Sequence, residues 1–186
     1  MSVVMTDDMK DEIKDIFAKQ GMGTRVYLFD KIPSNKFRNA TNSFAPNIHN
    51  SETVIALYDH SIFGSSNTGF ILTTQRLYRK NTAGSSTFIE IKNISHMNFQ
   101  PGSFSRLAEA HVIAINGDVL VKQLSAGGKA KELFNALKET IYLLQNPESF
   151  TRRVKPQATS STSSRQCNGC GAVGTTSICE YCGGPL

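Results

Sequence analysis

The sequence predicts an α+β fold in which an antiparallel β-sheet is capped by a C-terminal helix. From Glu52 to about Ser125, extended runs rich in β-branched and aromatic residues alternate with short Gly, Ser and Asn turns. Asn116-Gly117 lies between two such runs and is the strongest short-range signal for a hairpin. Residues 127–145 then show helical periodicity. Because the strands come first and the helix last, we expect the helix to cover one side of the sheet.

Two helices and a short strand are predicted before the sheet. Thr6 is suited to cap the start of the first helix, and Gly21 to end it. Residues 24–29 predict a short strand, and a second helix follows Ser34 and stops before Pro46. The first helix carries one apolar stripe, expected to pack on the protein's own core: Met9, Ile13, Ile16 and Phe17.

The middle of the chain predicts roughly six or seven antiparallel strands. They fall in the runs 52–61, 69–81 (with a bend near Thr74 and Gln75), 87–99, 107–115 and 119–124. The helix that follows has one apolar face made of Ala130, Leu133, Phe134, Leu137, Ile141 and Leu144. A face of this size is sufficient to cover one side of a small sheet or barrel.

Composition is typical of a globular protein. The chain has 186 residues, of which 39% are hydrophobic and 19% charged, enough for one ordinary domain and an appendage. It contains no run of eighteen apolar residues, and its first residues lack the basic start, apolar stretch and cleavage site of a secretory signal. We therefore expect a cytoplasmic protein without a membrane span.

Charge is mildly positive and spread along the chain. The formal net charge is +5, so attraction to nucleic acid or an anionic membrane should be weak and sensitive to salt. Residues 147–166 are rich in Ser and Thr and predict a flexible linker. Four basic residues in it could touch phosphates, although a solvated linker is the simpler interpretation: Arg152, Arg153, Lys155 and Arg165.

The four cysteines of the chain predict a structural zinc site. They form two C-x-x-C pairs with eight residues between them, and Gly171 and Gly183 follow the second cysteine of each pair. Four thiolates suit tetrahedral Zn²⁺ at about 2.3 Å and leave no position open for a reactive water. Twenty residues cannot build a core, so the metal must supply the folding energy. The predicted ligands are Cys167, Cys170, Cys179 and Cys182.

Other uses of the four cysteines fit less well. Two disulfides would suit a secreted chain, and the expected compartment is reducing. A redox C-x-x-C pair usually starts a helix in a βαβ unit, which the pattern here lacks. Iron in a rubredoxin-like site fits the spacing, but the segment lacks the aromatic packing that such a centre would use. Zinc is the favoured metal.

Residues 35–145 resemble bacterial pleckstrin-homology-like (PH-like) domains of the YokE-like type. The resemblance rests on the segments ALYD at 56–59, GFILT at 69–73 and RLY at 76–78. It implies a strongly bent antiparallel sheet or barrel capped by a C-terminal helix. The matching residues look structural in that family, so no lipid or peptide site is carried over to named positions. The cysteine-containing tail resembles the short C-terminal zinc ribbon of many prokaryotic proteins.

These observations divide the chain into four segments. Residues 1–50 form an N-terminal helical and strand extension packing on the core, and 51–146 form the PH-like domain. Residues 147–166 are the linker, and 167–186 are the zinc ribbon.

Motifs for catalysis are incomplete, and we expect a protein that is not an enzyme. The stretch from Gly64 to Gly69 starts like a phosphate-binding loop but lacks the following Lys and joins strands, so it predicts a turn. Asp59, His60 and Ser61 are the residue types of a hydrolase triad, but neighbours on a strand point to opposite faces. The four histidines match no metal or catalytic pattern: His49, His60, His96 and His111.

Two functions remain. The favoured one is an adaptor in which the PH-like domain and the tethered zinc ribbon bind a protein or macromolecular complex. The alternative is association with nucleic acid or the ribosome through the ribbon and the basic linker. The ribbon itself argues against this alternative, because it contains Glu180, no Lys or Arg, and only Tyr181 for stacking on a base. Weak contact with an anionic membrane is a further possibility, and the sequence does not predict the oligomeric state.

Overall fold

A computed structural model describes residues 3–21, 25–61, 63–80, 85–101, 104–105, 108–109, 112–122 and 129–148, together with 165–166 and 173–174. The chain divides into two units, Met1–Phe150 and Thr151–Leu186. The first unit contains three α-helices and two larger antiparallel sheets, one of five strands and one of three. The predicted α+β class is confirmed.

The elements of the first unit follow one another as a helical segment, a meander of strands and a final helix. The helices are α1 (Asp7–Lys19), α2 (Ser34–Ser43) and α3 (Ala130–Gln145), with 3-10 turns at Phe29–Lys31 and Ile91–Asn93. The strands are β1 (Val26–Leu28), β2 (Val54–Asp59), β3 (Gly69–Thr73), β4 (Arg76–Lys80), β5 (Thr87–Glu90), β6 (Met97–Gln100), β7 (Phe104–Ser105), β8 (Ala108–Glu109), β9 (Val112–Ile115) and β10 (Asp118–Lys122). The second unit contains β11 (Arg165–Gln166) and β12 (Val173–Gly174).

The two ends of α1 follow the sequence prediction. The Thr6 hydroxyl accepts a hydrogen bond from the Met9 amide at 3.3 Å, which caps the first turn. Gly21 has a positive φ of 57°, and its amide donates to the Ala18 carbonyl at 2.9 Å, as in a helix stop. The predicted stripe is buried in the main core, so α1 packs on the protein itself: Met9, Ile13, Ile16 and Phe17.

The five-stranded sheet, in the order β1-β2-β3-β4-β5, is covered on both faces. On one face Phe70 and Leu72 join a core with α1, α3 and the three-stranded sheet. On the other face Leu57 and Ile71 pack with Ala40 of α2. This double burial explains why β2 and β3 are continuous apolar runs with little polar alternation. The second predicted helix is confirmed, and it covers the outer face.

The three-stranded sheet, in the order β10-β9-β6, contains the predicted Asn-Gly hairpin. Asn116 and Gly117 have positive φ angles of 50° and 87°, as a two-residue turn between twisted strands requires. The Asn116 side chain also ties the turn to the preceding segment, because its oxygen accepts from the amides of Ser95 and His96, each at 3.0 Å. Its amide group donates to the Asn93 carbonyl at 2.6 Å.

Substitution of Asn116 should separate the two contributions of this residue. Asn116→Gly removes the side-chain hydrogen bonds but keeps a residue that tolerates positive φ, whereas Asn116→Ala also introduces backbone strain. We expect alanine to lower the free energy of unfolding by about 1 kcal/mol more than glycine does. Urea denaturation measures both. Equal losses of unfolding free energy in the two variants would show that the backbone conformation contributes nothing at this position.

Two strand predictions differ from the structure. The strand predicted over 24–29 ends at Leu28, because Phe29 has a φ of 47° and starts a 3-10 turn. The run 87–99 contains β5 and β6, as predicted, but they lie in different sheets. The turn at Ile91–Asn93 separates them: Ile91 is buried, and its amide donates to the Gln75 carbonyl at 2.8 Å.

The run 107–115 was predicted as one strand, whereas the described strands are β8 and β9. β8 pairs with β7 in a two-stranded sheet that the sequence did not predict. β9 starts at Val112 and pairs with β6 and β10, while residues 110–111 lie outside the described part. β9 buries alternate side chains, Ile113 and Ile115, in the main core.

Helix α3 buries a wider face than predicted. The helix begins at Ala130, and Lys129 before it is not helical, while the predicted start at 127 lies outside the described residues. Phe134 of the predicted face is half-buried against the Phe99 ring at 5.7 Å. The face widens because α3 shares the main core with α1 and with residues of both sheets. Its additional buried residues are Ala136, Thr140 and Leu143.

Neither large sheet closes into a barrel through the described strand pairings. A side chain links them instead: the Arg79 guanidinium on β4 donates to the Val119 carbonyl on β10 at 2.5 Å and to the Asp118 carboxylate at 3.1 Å. The expected PH-like barrel is therefore not confirmed. The structure shows two antiparallel sheets packed with three helices. Among the described residues, the helices are too short or too polar to traverse a bilayer.

Candidate functional site

The predicted zinc ligands lie outside the described residues, but the strands beside the first pair are described. In the second unit, β11 and β12 are antiparallel, with Arg165 opposite Gly174 and Gln166 opposite Val173. The chain therefore reverses direction between Gln166 and Val173, and the six residues of this connection include the first C-x-x-C pair. β11 also begins inside the segment predicted as linker. The zinc site formed by Cys167, Cys170, Cys179 and Cys182 stays a prediction.

No other metal site is found within the part of the chain that the structure describes. There, no three His, Cys, Asp or Glu side chains come together as possible ligands. The three described histidines lie in separate places. His49 contacts the Ser51 hydroxyl at 2.8 Å, His60 stacks on the Tyr58 ring at a centroid distance of 6.0 Å, and His96 precedes β6. His111 lies outside the described residues.

The best-defined functional candidate in the first unit is the segment 63–68 between β2 and β3, here named the 63–68 loop. Three side chains from one face of α2, at positions 36, 39 and 43, donate hydrogen bonds to its backbone carbonyls. The pairs are Lys36 Nζ with Gly64 O at 2.6 Å, Asn39 Nδ2 with Ser65 O at 2.9 Å, and Ser43 Oγ with Asn67 O at 2.8 Å. The loop backbone is thus attached to a helix along its length.

A buried carboxylate at the end of β2 supports the same loop. The Asp59 side chain is 2% exposed, and its Oδ1 accepts from the amide and hydroxyl of Ser61 at 3.0 and 2.5 Å and from the Ser66 amide at 3.2 Å. Its Oδ2 accepts from Lys36 Nζ at 2.7 Å. One carboxylate therefore organises the start and the middle of the turn together.

The pair formed by Asp59 and Lys36 is charged at neutral pH. Burial alone would raise the pKa of Asp59, but the hydrogen bonds from Lys36, Ser61 and Ser66 outweigh it, and the net result is a lowered pKa. Burial likewise opposes the charge on Lys36, yet the hydrogen bond to Asp59 leaves its pKa raised. Each partner thus favours the ionised form of the other.

Asp59, His60 and Ser61 are arranged as parts of a turn. The side chains of Asp59 and Ser61, two residues apart, meet on one side, while the His60 ring stacks on Tyr58. The Ser61 hydroxyl donates to the carboxylate and accepts from the Ser66 amide at 2.9 Å. This agrees with the prediction that the three residue types do not converge as in a triad.

The two glycines of the predicted turn have the conformations that a turn requires. Gly64 has a φ of 67° and Gly69 a φ of 137°, and both flank the segment that joins β2 to β3. A Cβ atom at Gly69 would lie 1.9 Å from the Tyr58 carbonyl oxygen. The prediction of a turn is confirmed, and the glycine at position 69 allows β2 and β3 to approach.

The side chain that this loop presents is Phe63. It is 95% exposed, more than any other exposed large hydrophobic residue in the described part, among which Val4 follows at 80% and Phe88 at 56%. Phe63 was not among the residues predicted from the sequence to have a function. A phenylalanine followed by Gly, Ser, Ser and Asn in a turn between two buried strands was the available signal.

A second buried carboxylate, Glu52, lies two residues before the start of β2. It accepts from the Thr73 hydroxyl at 2.5 Å, the Tyr78 hydroxyl at 2.9 Å and the Arg76 guanidinium at 3.0 Å. Burial chiefly raises the pKa of Tyr78, which keeps its hydroxyl a donor. Arg76 also lies over the Phe88 ring at 5.0 Å. Because these groups bond with one another, we interpret this cluster as a clamp on the β3–β4 turn.

A cavity of about 350 Å³ lies beside α1 and β1. Its apolar lining includes Phe17, Val26 and Leu28, and its charged lining residues are Lys14, Asp30 and Lys31. Lys14 already bonds with Asp11 at 2.9 Å. Since charges of both signs line the cavity, it does not select a ligand of one charge.

Comparison with protein-family models, with curated proteins and with solved structures gives no match. We therefore describe the protein by its own two units. The first is an α+β unit with a helix-supported loop, and the second is a small C-terminal unit that contains the four cysteines.

Proposed function

We propose that this protein is a non-catalytic adaptor in which a PH-like domain and a structural zinc ribbon both contact a protein partner. The observation that carries the proposal is the antiparallel pairing of β11 with β12 around the first C-x-x-C pair. The first C-x-x-C pair lies in the sequence between these two strands, and two such pairs would supply the four thiolates of a closed zinc site. The second pair completes a set of four soft ligands, which suits Zn²⁺ in a reducing, cytoplasmic compartment.

The PH-like assignment is supported by the order of the elements. A meander of β2, β3, β4 and β5 precedes a three-stranded sheet and a final helix, α3. Asp59 and Glu52, the carboxylates that are buried among the described residues of this unit, bond to internal donors and have structural roles. We assign the domain a binding role because its loop exposes an apolar ring instead of a reactive group.

Two modules on one chain would act together. When the first module is bound, the second meets the partner at a high effective concentration, which can strengthen binding by about 10²–10⁴. The alternative partner is nucleic acid, for which the basic residues of 147–166 are the supporting feature.

Copurification from the native cells tests this function. Tagged full-length protein, a truncation ending at Phe150, and the double variant Cys167→Ser, Cys170→Ser should be compared with and without ribonuclease and deoxyribonuclease. We expect a partner protein that resists nuclease treatment and is at least about tenfold less enriched with either variant. Loss on nuclease treatment would support the nucleic-acid alternative. Equal enrichment with all three proteins would contradict a role for the ribbon.

A further inference from the structure

The backbone beside Phe63 is held before any partner arrives. Lys36 bonds to the Gly64 carbonyl at 2.6 Å, and the Gly64 amide donates to the Ser61 carbonyl at 3.3 Å. Asn39 and Ser43 hold the rest of the loop to α2. An aromatic side chain on a preorganised backbone loses little entropy on binding, which is the property of an interface anchor.

The exposure of Phe63 differs from that of Phe88, the other exposed phenylalanine among the residues whose burial is described. Phe88 is 56% exposed and contacts the Tyr78 ring at 5.8 Å and the Arg76 guanidinium at 5.0 Å. Phe63 is 95% exposed, so its ring contributes almost no buried area to the folded unit. The network of the loop supports the position of a side chain that the fold itself does not need.

The charges around the loop point to a neutral partner surface. Residues 60–68 contain no Lys, Arg, Asp or Glu. Among the described residues, two cations bond to this segment, Lys36 to the Gly64 carbonyl and Arg25 to the Ser61 carbonyl at 3.4 Å, and Lys36 also bonds to the Asp59 carboxylate. Anionic membranes and single-stranded nucleic acids select clusters of free basic groups, and the described part of this surface presents no such cluster.

We infer that the 63–68 loop is a protein-docking surface in which Phe63 inserts into an uncharged apolar pocket of the partner. Ser65, Asn67 and Thr68 belong to the same loop, and their hydroxyl and amide groups could hydrogen-bond at the edge of such a pocket. A rigid aromatic residue among Ser, Gly and Asn is the composition of many binding loops. The inference rests on the proposed adaptor function and assigns the surface that the first unit uses.

Site-specific photocrosslinking tests this assignment. The full-length chain should carry p-benzoylphenylalanine at position 63 or, as a control, at position 142, where Tyr142 is 50% exposed on α3. After irradiation in the native cells, we expect one discrete heterologous product from position 63 and not from position 142. In lysate, purified wild-type protein and Tyr142→Ser should compete for this product, whereas Phe63→Ser should need at least about tenfold more protein.

The variants must keep the fold for the comparison to hold. Because Phe63 is exposed, Phe63→Ser should have a Tm within about 2 °C of the wild type. Equal competition by Phe63→Ser, or no discrete product, would overturn the docking surface. So would a product of twice the chain mass, which means self-association, or sedimentation with phosphatidylglycerol vesicles that depends on Phe63. If the copurified partner persists with Phe63→Ser but is lost with the ribbon variants, the docking surface fails while the adaptor function stands.

Discussion

Replacing Cys167 with serine should abolish stoichiometric zinc binding and leave the C-terminal segment without a stable structure. The segment is too short for a hydrophobic core, so we expect its folding energy to come from the predicted metal, about 10–16 kcal/mol in comparable zinc-finger peptides. The wild-type chain, purified under reducing conditions, should contain one zinc ion, and the Cys167→Ser chain much less. Elemental analysis of the purified proteins measures this difference.

Proteolysis gives an independent readout of the same prediction. Residues 167–186 contain no Lys or Arg, so subtilisin is suitable and trypsin is not. Chelation should accelerate subtilisin cleavage of this segment in the wild-type chain, whereas the first unit should keep its thermal transition. Ser177→Ala, a change between the two cysteine pairs, should behave like the wild type. A zinc-free wild-type protein, or unchanged zinc content in Cys167→Ser, would contradict the predicted site.

Replacing Asp59 with alanine should destabilise the first unit by about 3–5 kcal/mol, because it leaves the largely buried ammonium of Lys36 without its counterion. The substitution also removes the acceptor of the Ser61 and Ser66 amides. Urea denaturation measures the loss. Lys36→Met keeps the apolar part of the lysine side chain, so the double variant should cost less than the two single changes added together. Strict additivity would show that the two charges are not coupled.

The same pair predicts a dependence of stability on pH. The pKa of Asp59 in the folded state is below its ordinary value of 3.8, so the unfolded chain binds a proton more readily at acidic pH. The contribution of Asp59 is therefore present above about pH 3.8 and is lost as the pH falls towards the lower folded pKa. Asp59→Asn should be less stable than the wild type at pH 7, and the difference should shrink below pH 3.8. A difference that does not change between these pH values would contradict the lowered pKa.

Local signals predicted much of the fold. The cap at Thr6, the stop at Gly21 and the turn at Asn116-Gly117 depend on residues close in sequence, and all three are present in the structure. Capping and turn conformation are properties of short segments, so a single sequence can reveal them. The assignment of β5 and β6 to different sheets could not be predicted, because it depends on how the buried Ile91 packs in three dimensions.

The support of the 63–68 loop could not be predicted for the same reason. Lys36 and Asp59 are 23 residues apart, and Lys36 and Gly64 are 28 apart. In sequence, Lys36, Asn39 and Ser43 are ordinary polar residues of a helix surface, and only the packing of α2 on the sheet turns them towards the loop. The cysteine pattern is the opposite case, since its chemistry is contained in the spacing of the residues themselves.

The three hydrogen bonds between α2 and the 63–68 loop also require that Lys36, Asn39 and Ser43 stay on the same face of the helix. Each residue added to an α-helix rotates everything after it by about 100°. One residue inserted after Lys36 would therefore turn Asn39 and Ser43 away together, although every polar side chain would still be present. The loop can tolerate exchange of its exposed side chains far more readily than a change in the length of the helix beneath it.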